Sequence, residues 1–90
     1  MNELTIELDR VPLRRELVEV LRGEFAAGGL VSGRVFVGAI TAAPDMVYFL
    51  WHDSGEAPVS MLIRRENVST EDGACAAARD FLFKWKKRLG

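Results

Sequence analysis

Leu4, Ile6 and Leu8 alternate with Thr5 and Glu7, and that period of two predicts a strand over residues 3–8 with one buried face. The period then lengthens. Leu13, Leu17, Leu21 and Phe25 recur every fourth residue behind Pro12. This predicts an amphipathic helix whose first turn tolerates the proline, because an N–H there has no intrahelical partner. Either Gly23 or Gly28 is placed to end it. Arg14, Arg15, Glu19 and Arg22 fall on the side expected to face water.

Residues 30–41 are rich in β-branched side chains and interrupted by Gly33 and Gly38, the pattern of a strand that bends or admits a close neighbour. A turn at Ala42-Ala43-Pro44-Asp45 leads into Met46-Val47-Tyr48-Phe49-Leu50-Trp51, apolar at every position and therefore expected to be a central strand. After a turn at Asp53-Ser54-Gly55, Val59, Met61 and Ile63 alternate with Ser60 and Arg64 in a third meander strand, with Arg64 and Arg65 leading into solvent. Ser69 reads as the N-cap of the last helix, with Glu71 and Asp72 in its first turn. Ala74, Ala78, Phe81 or Leu82, Trp85 and Leu89 then repeat at helical spacing, and Lys84, Lys86, Lys87 and Arg88 complement the negative end of the helix dipole.

The expected fold is thus α+β in the order β-α-β-β-β-α: an antiparallel three-stranded meander plus a short N-terminal strand, with two helices packed on one face. Ninety residues suffice for one core, so residues 1–90 are expected to form a single small domain. With 49% apolar and 28% charged residues the chain lies far from disordered compositions, and its net charge of −1 supplies no global field for nucleic acid or an anionic membrane.

Cys75 is the only cysteine and His52 the only histidine. That excludes an internal disulfide, a zinc site of several thiolates and a metal site of paired imidazoles, and it fits a reducing, cytoplasmic setting without cofactor or metal. The start, Met1-Asn2-Glu3, lacks the basic flank and apolar run of a signal peptide, and no apolar run is long enough to cross a bilayer.

The central strand poses the main physical question. It is apolar on both faces, whereas two helices cover one. The second face is covered by the loop around Gly28 and Gly29 or by another copy of the chain, or else the tight curl of a small sheet, with Tyr48 and Trp51 partly exposed, leaves only a modest patch; a homodimer is the expected answer. Val47, Phe49 and Trp51 share one side and Tyr48 and Leu50 the other. These five residues form the candidate interaction face, one set facing the helices and the other a partner, whether a second copy or another protein.

Candidate chemistry changes this picture little. His52-Asp53-Ser54 contains the residue types of a hydrolytic triad, but consecutive side chains at a strand end diverge, and Asp-Ser-Gly is turn chemistry, so no catalytic residue is assigned. Cys75, flanked by Ala74 and by Ala76-Ala77-Ala78, reads as a small packing residue near a helix start. Gly28-Gly29-Leu30-Val31-Ser32-Gly33 resembles a phosphate-binding loop only in its glycines and lacks the Walker lysine.

A second function class rests on the basic cluster Lys84, Lys86, Lys87 and Arg88 around Trp85, which Arg64, Arg65 and Arg79 would extend into a phosphate-binding patch. Trp85 falls on the apolar stripe, which favours a packed tryptophan over a base-stacking one. Residues 12–89 follow the element order of a double-stranded RNA-binding domain, and Ser69 to Leu82, with Ala76-Ala77-Ala78-Arg79, is faintly similar to that family's last helix. Thr70-Glu71-Asp72 departs from it by placing acid where that family presents lysines to phosphate, and the first strand is foreign to it. The resemblance is one of order and not of chemistry. The sequence therefore leads to a non-enzymatic interaction or assembly module that self-associates through an apolar sheet face, with a nucleic-acid-binding module as the alternative.

Overall fold

A computed structural model describes residues 3–89. Its elements are β1 (Thr5–Asp9), α1 (Arg15–Ala27), β2 (Arg34–Ala39), β3 (Met46–His52), β4 (Val59–Arg64), a 3-10 turn (Arg65–Val68) and α2 (Glu71–Leu89). The strands form one sheet in the order β1-β2-β3-β4. β2, β3 and β4 are the antiparallel meander, and β1 joins parallel to β2, as a strand must when a helix returns the chain to the same sheet. The α+β class and the β-α-β-β-β-α order are as expected from the sequence.

Both helices pack on the face that carries Val35 and Val37 of β2, Val47, Phe49 and Trp51 of β3, and Val59 and Ile63 of β4. At its centre three rings meet edge to face. Phe25 of α1, Phe49 of β3 and Phe81 of α2 have centroids 6.1 Å (Phe25–Phe49), 6.0 Å (Phe25–Phe81) and 5.7 Å (Phe49–Phe81) apart. This edge-to-face arrangement directs ring edges at π faces, the favourable sense of the aromatic quadrupole. Trp85 is half-buried against the core and meets Trp51 edge to face at 5.8 Å. The side chain of Leu89, assigned to the same stripe, lies outside the described residues.

Element ends differ from expectation for local reasons. Pro12 is not in the first turn of α1; the helix is capped by Arg14 in an extended conformation, without a side-chain cap bond, and begins at Arg15. Gly28, not Gly23, ends it. The Leu30 N–H bonds the Phe25 carbonyl at 2.8 Å and the Gly29 N–H bonds Ala26 at 3.0 Å, while Gly29 takes φ +92°. These are the two bonds of a Schellman motif, and burial of both Phe25 and Leu30 supplies its apolar contact.

The N-cap of α2 is Thr70 rather than Ser69. Thr70 Oγ1 accepts the Gly73 N–H at 3.1 Å, whereas Ser69 has helical dihedrals and donates its hydroxyl to the Glu66 carbonyl at 2.6 Å. A cap residue needs extended backbone, which Ser69 lacks. Arg22, expected to face water, is half-buried, and its Nη1 donates to the Leu4 carbonyl at 2.9 Å, tying α1 to the approach of β1.

Candidate interaction face

Registry arranges the opposite side of the sheet in rows that cross all four strands. One row is Glu7, Phe36, Leu50 and Ser60; the next is Asp9, Gly38, Tyr48 and Leu62. Arg34 and His52 pair at one end, and Met46 and Arg64 at the other. The middle of this face is apolar. Phe36, Tyr48 and Leu50 are half-buried, and Leu62 is 61% exposed. Two shallow hollows of about 400 Å³ and 430 Å³ flank Tyr48 and Leu50. One reaches Ser60, Leu62 and Lys84, the other Glu7, Asp9 and Phe36.

The five residues of the candidate face therefore divide. Val47, Phe49 and Trp51 are buried beneath the helices, while Tyr48 and Leu50 point to the open side. Phe36 and Leu62 join them there. Leu62 was legible: the period of two that selects Val59, Met61 and Ile63 places it with Ser60 and Arg64. The loop around Gly28 and Gly29 does not cover this face. It belongs to the helix side, where a Cβ at Gly28 would meet the Leu82 side chain at 2.6 Å.

Tyr48 organises the open face. Its ring lies on Gly38 of the neighbouring strand, where a Cβ would overlap it, and its hydroxyl reaches one strand further to donate to Asp9 Oδ2 at 2.8 Å. Burial, then the bond to Asp9, pushes the phenol above its ordinary pKa.

Charged groups mark both margins of the sheet. Glu7 and Asp9 stand on the open side of β1, each paired with an arginine: Arg34 lies 3.6 Å from Glu7 and Arg10 3.4 Å from Asp9. Arg64 lies on the open side of β4, and Lys84 reaches around that edge from α2 to donate to the Ser60 carbonyl. The β4 margin is basic.

The seven basic residues of the alternative reading lie on β4, the 3-10 turn and α2. Arg64 and Arg65 stand at the end of β4 beside Asp45 and Glu66. Arg79 pairs with Glu24 at 2.9 Å on the α1 side, where Lys86 also lies, and Lys87 stands 5.6 Å above the ring of Phe83. Lys84 is on the β4 edge, and Arg88 is exposed near the end of α2.

His52, Asp53 and Ser54 make no relay. Asp53 Oδ2 accepts the Ser32 hydroxyl at 3.0 Å and Oδ1 accepts the Ser54 N–H at 2.8 Å, so the carboxylate braces a turn. Gly33, at φ +89°, lets this turn close: a Cβ there would lie 2.7 Å from the His52 carbonyl. The glycines at 28 and 29 follow the C-terminal end of α1, whose dipole repels anions, opposite to a phosphate loop. Cys75 is half-buried among Ala74, Ala77 and Ala78.

Among the described residues no group of three His, Cys, Asp or Glu side chains is placed to hold a metal ion, and no helix is long and apolar enough to cross a membrane. No family model, no curated protein and no solved structure matches the chain.

Proposed function

We propose that this chain is a non-enzymatic assembly module that self-associates through the open face of its sheet. The observation that carries the reading is the contiguous apolar surface of Phe36, Tyr48, Leu50 and Leu62 on the side away from both helices. Covering such side chains removes apolar area from water at about 25 cal/mol per Å², and a two-fold contact counts each residue twice.

Size sets the strength. A face of four strands spaced about 4.8 Å and about six residues long covers roughly 400 Å² per copy. That flat footprint is at the small end of interfaces, whose standard size is roughly 800 Å² of accessible surface per partner. Phe36, Tyr48 and Leu50 are already half-covered by their neighbours, which lowers the gain further.

Sedimentation velocity from low to high micromolar concentration tests this. The expected result is a concentration-dependent shift from monomer to dimer that Leu50→Ser with Leu62→Ser abolishes while the circular dichroism spectrum stays unchanged. A strictly monomeric wild type, or association indifferent to the double substitution, removes the proposal. Salt-sensitive retention on nucleic acid would favour the alternative, although Arg79 is already paired with Glu24 and Arg64 stands beside Asp45 and Glu66, which gives it less support.

A further inference from the structure

We infer that the two copies meet face to face about a two-fold axis running along the strands between β2 and β3, so that β1 of each copy lies over β4 of the other. This rests on the self-association just proposed and fixes its geometry. Two in-plane directions of the axis keep the sheets face to face with their strands roughly aligned, the packing of β-sandwiches. An axis across the strands places β1 on β1 and β4 on β4. Glu7 then lies against the acid-bearing edge of the second copy and away from its Lys84, while Lys84 and Arg64 of the two copies are brought together. An axis along the strands places acid on base twice, and like charges brought together at a contact cost enough to select between two otherwise similar dockings.

The rows carry the inference to single residues. An axis along the strands leaves each row at its own height and reverses it, so the row Glu7, Phe36, Leu50, Ser60 lies on its own mirror order. Glu7 then faces Ser60 of the second copy, whose carbonyl already holds the Lys84 ammonium. Phe36 faces Leu50. In the next row the Tyr48 ring, which spans from β3 over Gly38, crosses the line of the axis and meets the same ring of the second copy. Large apolar groups thus sit at the centre and Glu7 meets Lys84 at both rims, while Asp9, already bonded to Tyr48 and paired with Arg10, faces Leu62.

The Glu7 side chain is exposed enough to serve. Its bond to Arg34 is a solvent-accessible pair at 3.6 Å, with the carboxylate side chain 42% exposed, so a second cation can approach it.

A charge swap tests the orientation. Glu7→Lys alone and Lys84→Glu alone should each weaken self-association about tenfold, since each creates two like-charge contacts per dimer. An equimolar mixture of the two variants should recover association to the wild-type level. In the mixed pair the two substituted positions face each other with opposite charges at one rim, and the unaltered Lys84 faces the unaltered Glu7 at the other. Fluorescently labelled variants in sedimentation velocity distinguish the mixed from the like pairs. A wild type that never associates overturns the assembly reading itself. A wild type that associates, with Glu7→Lys no weaker or with no recovery in the mixture, leaves that reading standing and overturns the orientation.

Discussion

The ring of Tyr48 occupies the space that a side chain at Gly38 would fill, one strand away on the open face of the sheet. A glycine within a strand ordinarily weakens it, but an aromatic ring laid across it from the neighbouring strand restores the lost contact area.

Gly38→Ala forces the Tyr48 ring off this position or strains β2, because the new methyl group overlaps the ring. Urea denaturation should show a loss of about 1–3 kcal/mol. In a Tyr48→Ala background the same substitution should cost much less, and equal costs in the two backgrounds would show that the ring does not depend on the glycine.

Tyr48→Phe removes the bond to Asp9 at 2.8 Å and should cost about 1 kcal/mol near neutral pH. The pH dependence follows from the raised phenol. The folded state favours the neutral form, so its contribution is complete below the ordinary tyrosine value of about 10 and is lost as pH rises through the higher folded value. The gap between wild type and Tyr48→Phe should therefore narrow above about pH 10. Parallel stability curves up to alkaline pH would contradict this.

Phe49→Ala empties the centre of the three-ring cluster with Phe25 and Phe81. The expected loss is about 3–5 kcal/mol, a large part of the roughly 5–15 kcal/mol available to a small domain. Thermal unfolding followed by circular dichroism should show a melting temperature lowered by more than 10 °C or so, given about 4–8 °C per kcal/mol at this size.

Thr70→Ala should destabilise by about 1 kcal/mol, since it removes the oxygen that accepts the Gly73 N–H, and Thr70→Ser should restore most of it. Ser69→Ala loses only an exposed bond to the Glu66 carbonyl and should cost less. If Ser69→Ala is the more damaging of the two in chemical denaturation, the cap assignment is reversed.

Periodicity along the chain was enough to specify the order of elements and most of the core. Leu17, Leu21 and Phe25 recur every fourth residue, and Val59 and Ile63 keep the period of two, so their burial follows from local geometry alone. Cap residues were less legible, because Ser69 and Thr70 are both good caps by type and only the dihedrals of the preceding 3-10 turn choose between them.

What the sequence could not determine is which side of β3 the helices cover. A strand apolar at every position satisfies either choice, so the division of Val47, Phe49 and Trp51 from Tyr48 and Leu50 came only from the packing of α1 and α2. The same holds for charge. Glu7 and Asp9 are about fifty residues or more from Arg64 and Lys84 in sequence, and no local pattern relates them. Their placement on opposite margins of one face is set by strand order, with β1 drawn to the far edge by its parallel pairing with β2. Local sequence decides what each segment becomes, because propensity and periodicity act over a few residues. Tertiary structure decides which surfaces remain open, because that depends on which segments, distant along the chain, compete for the same face.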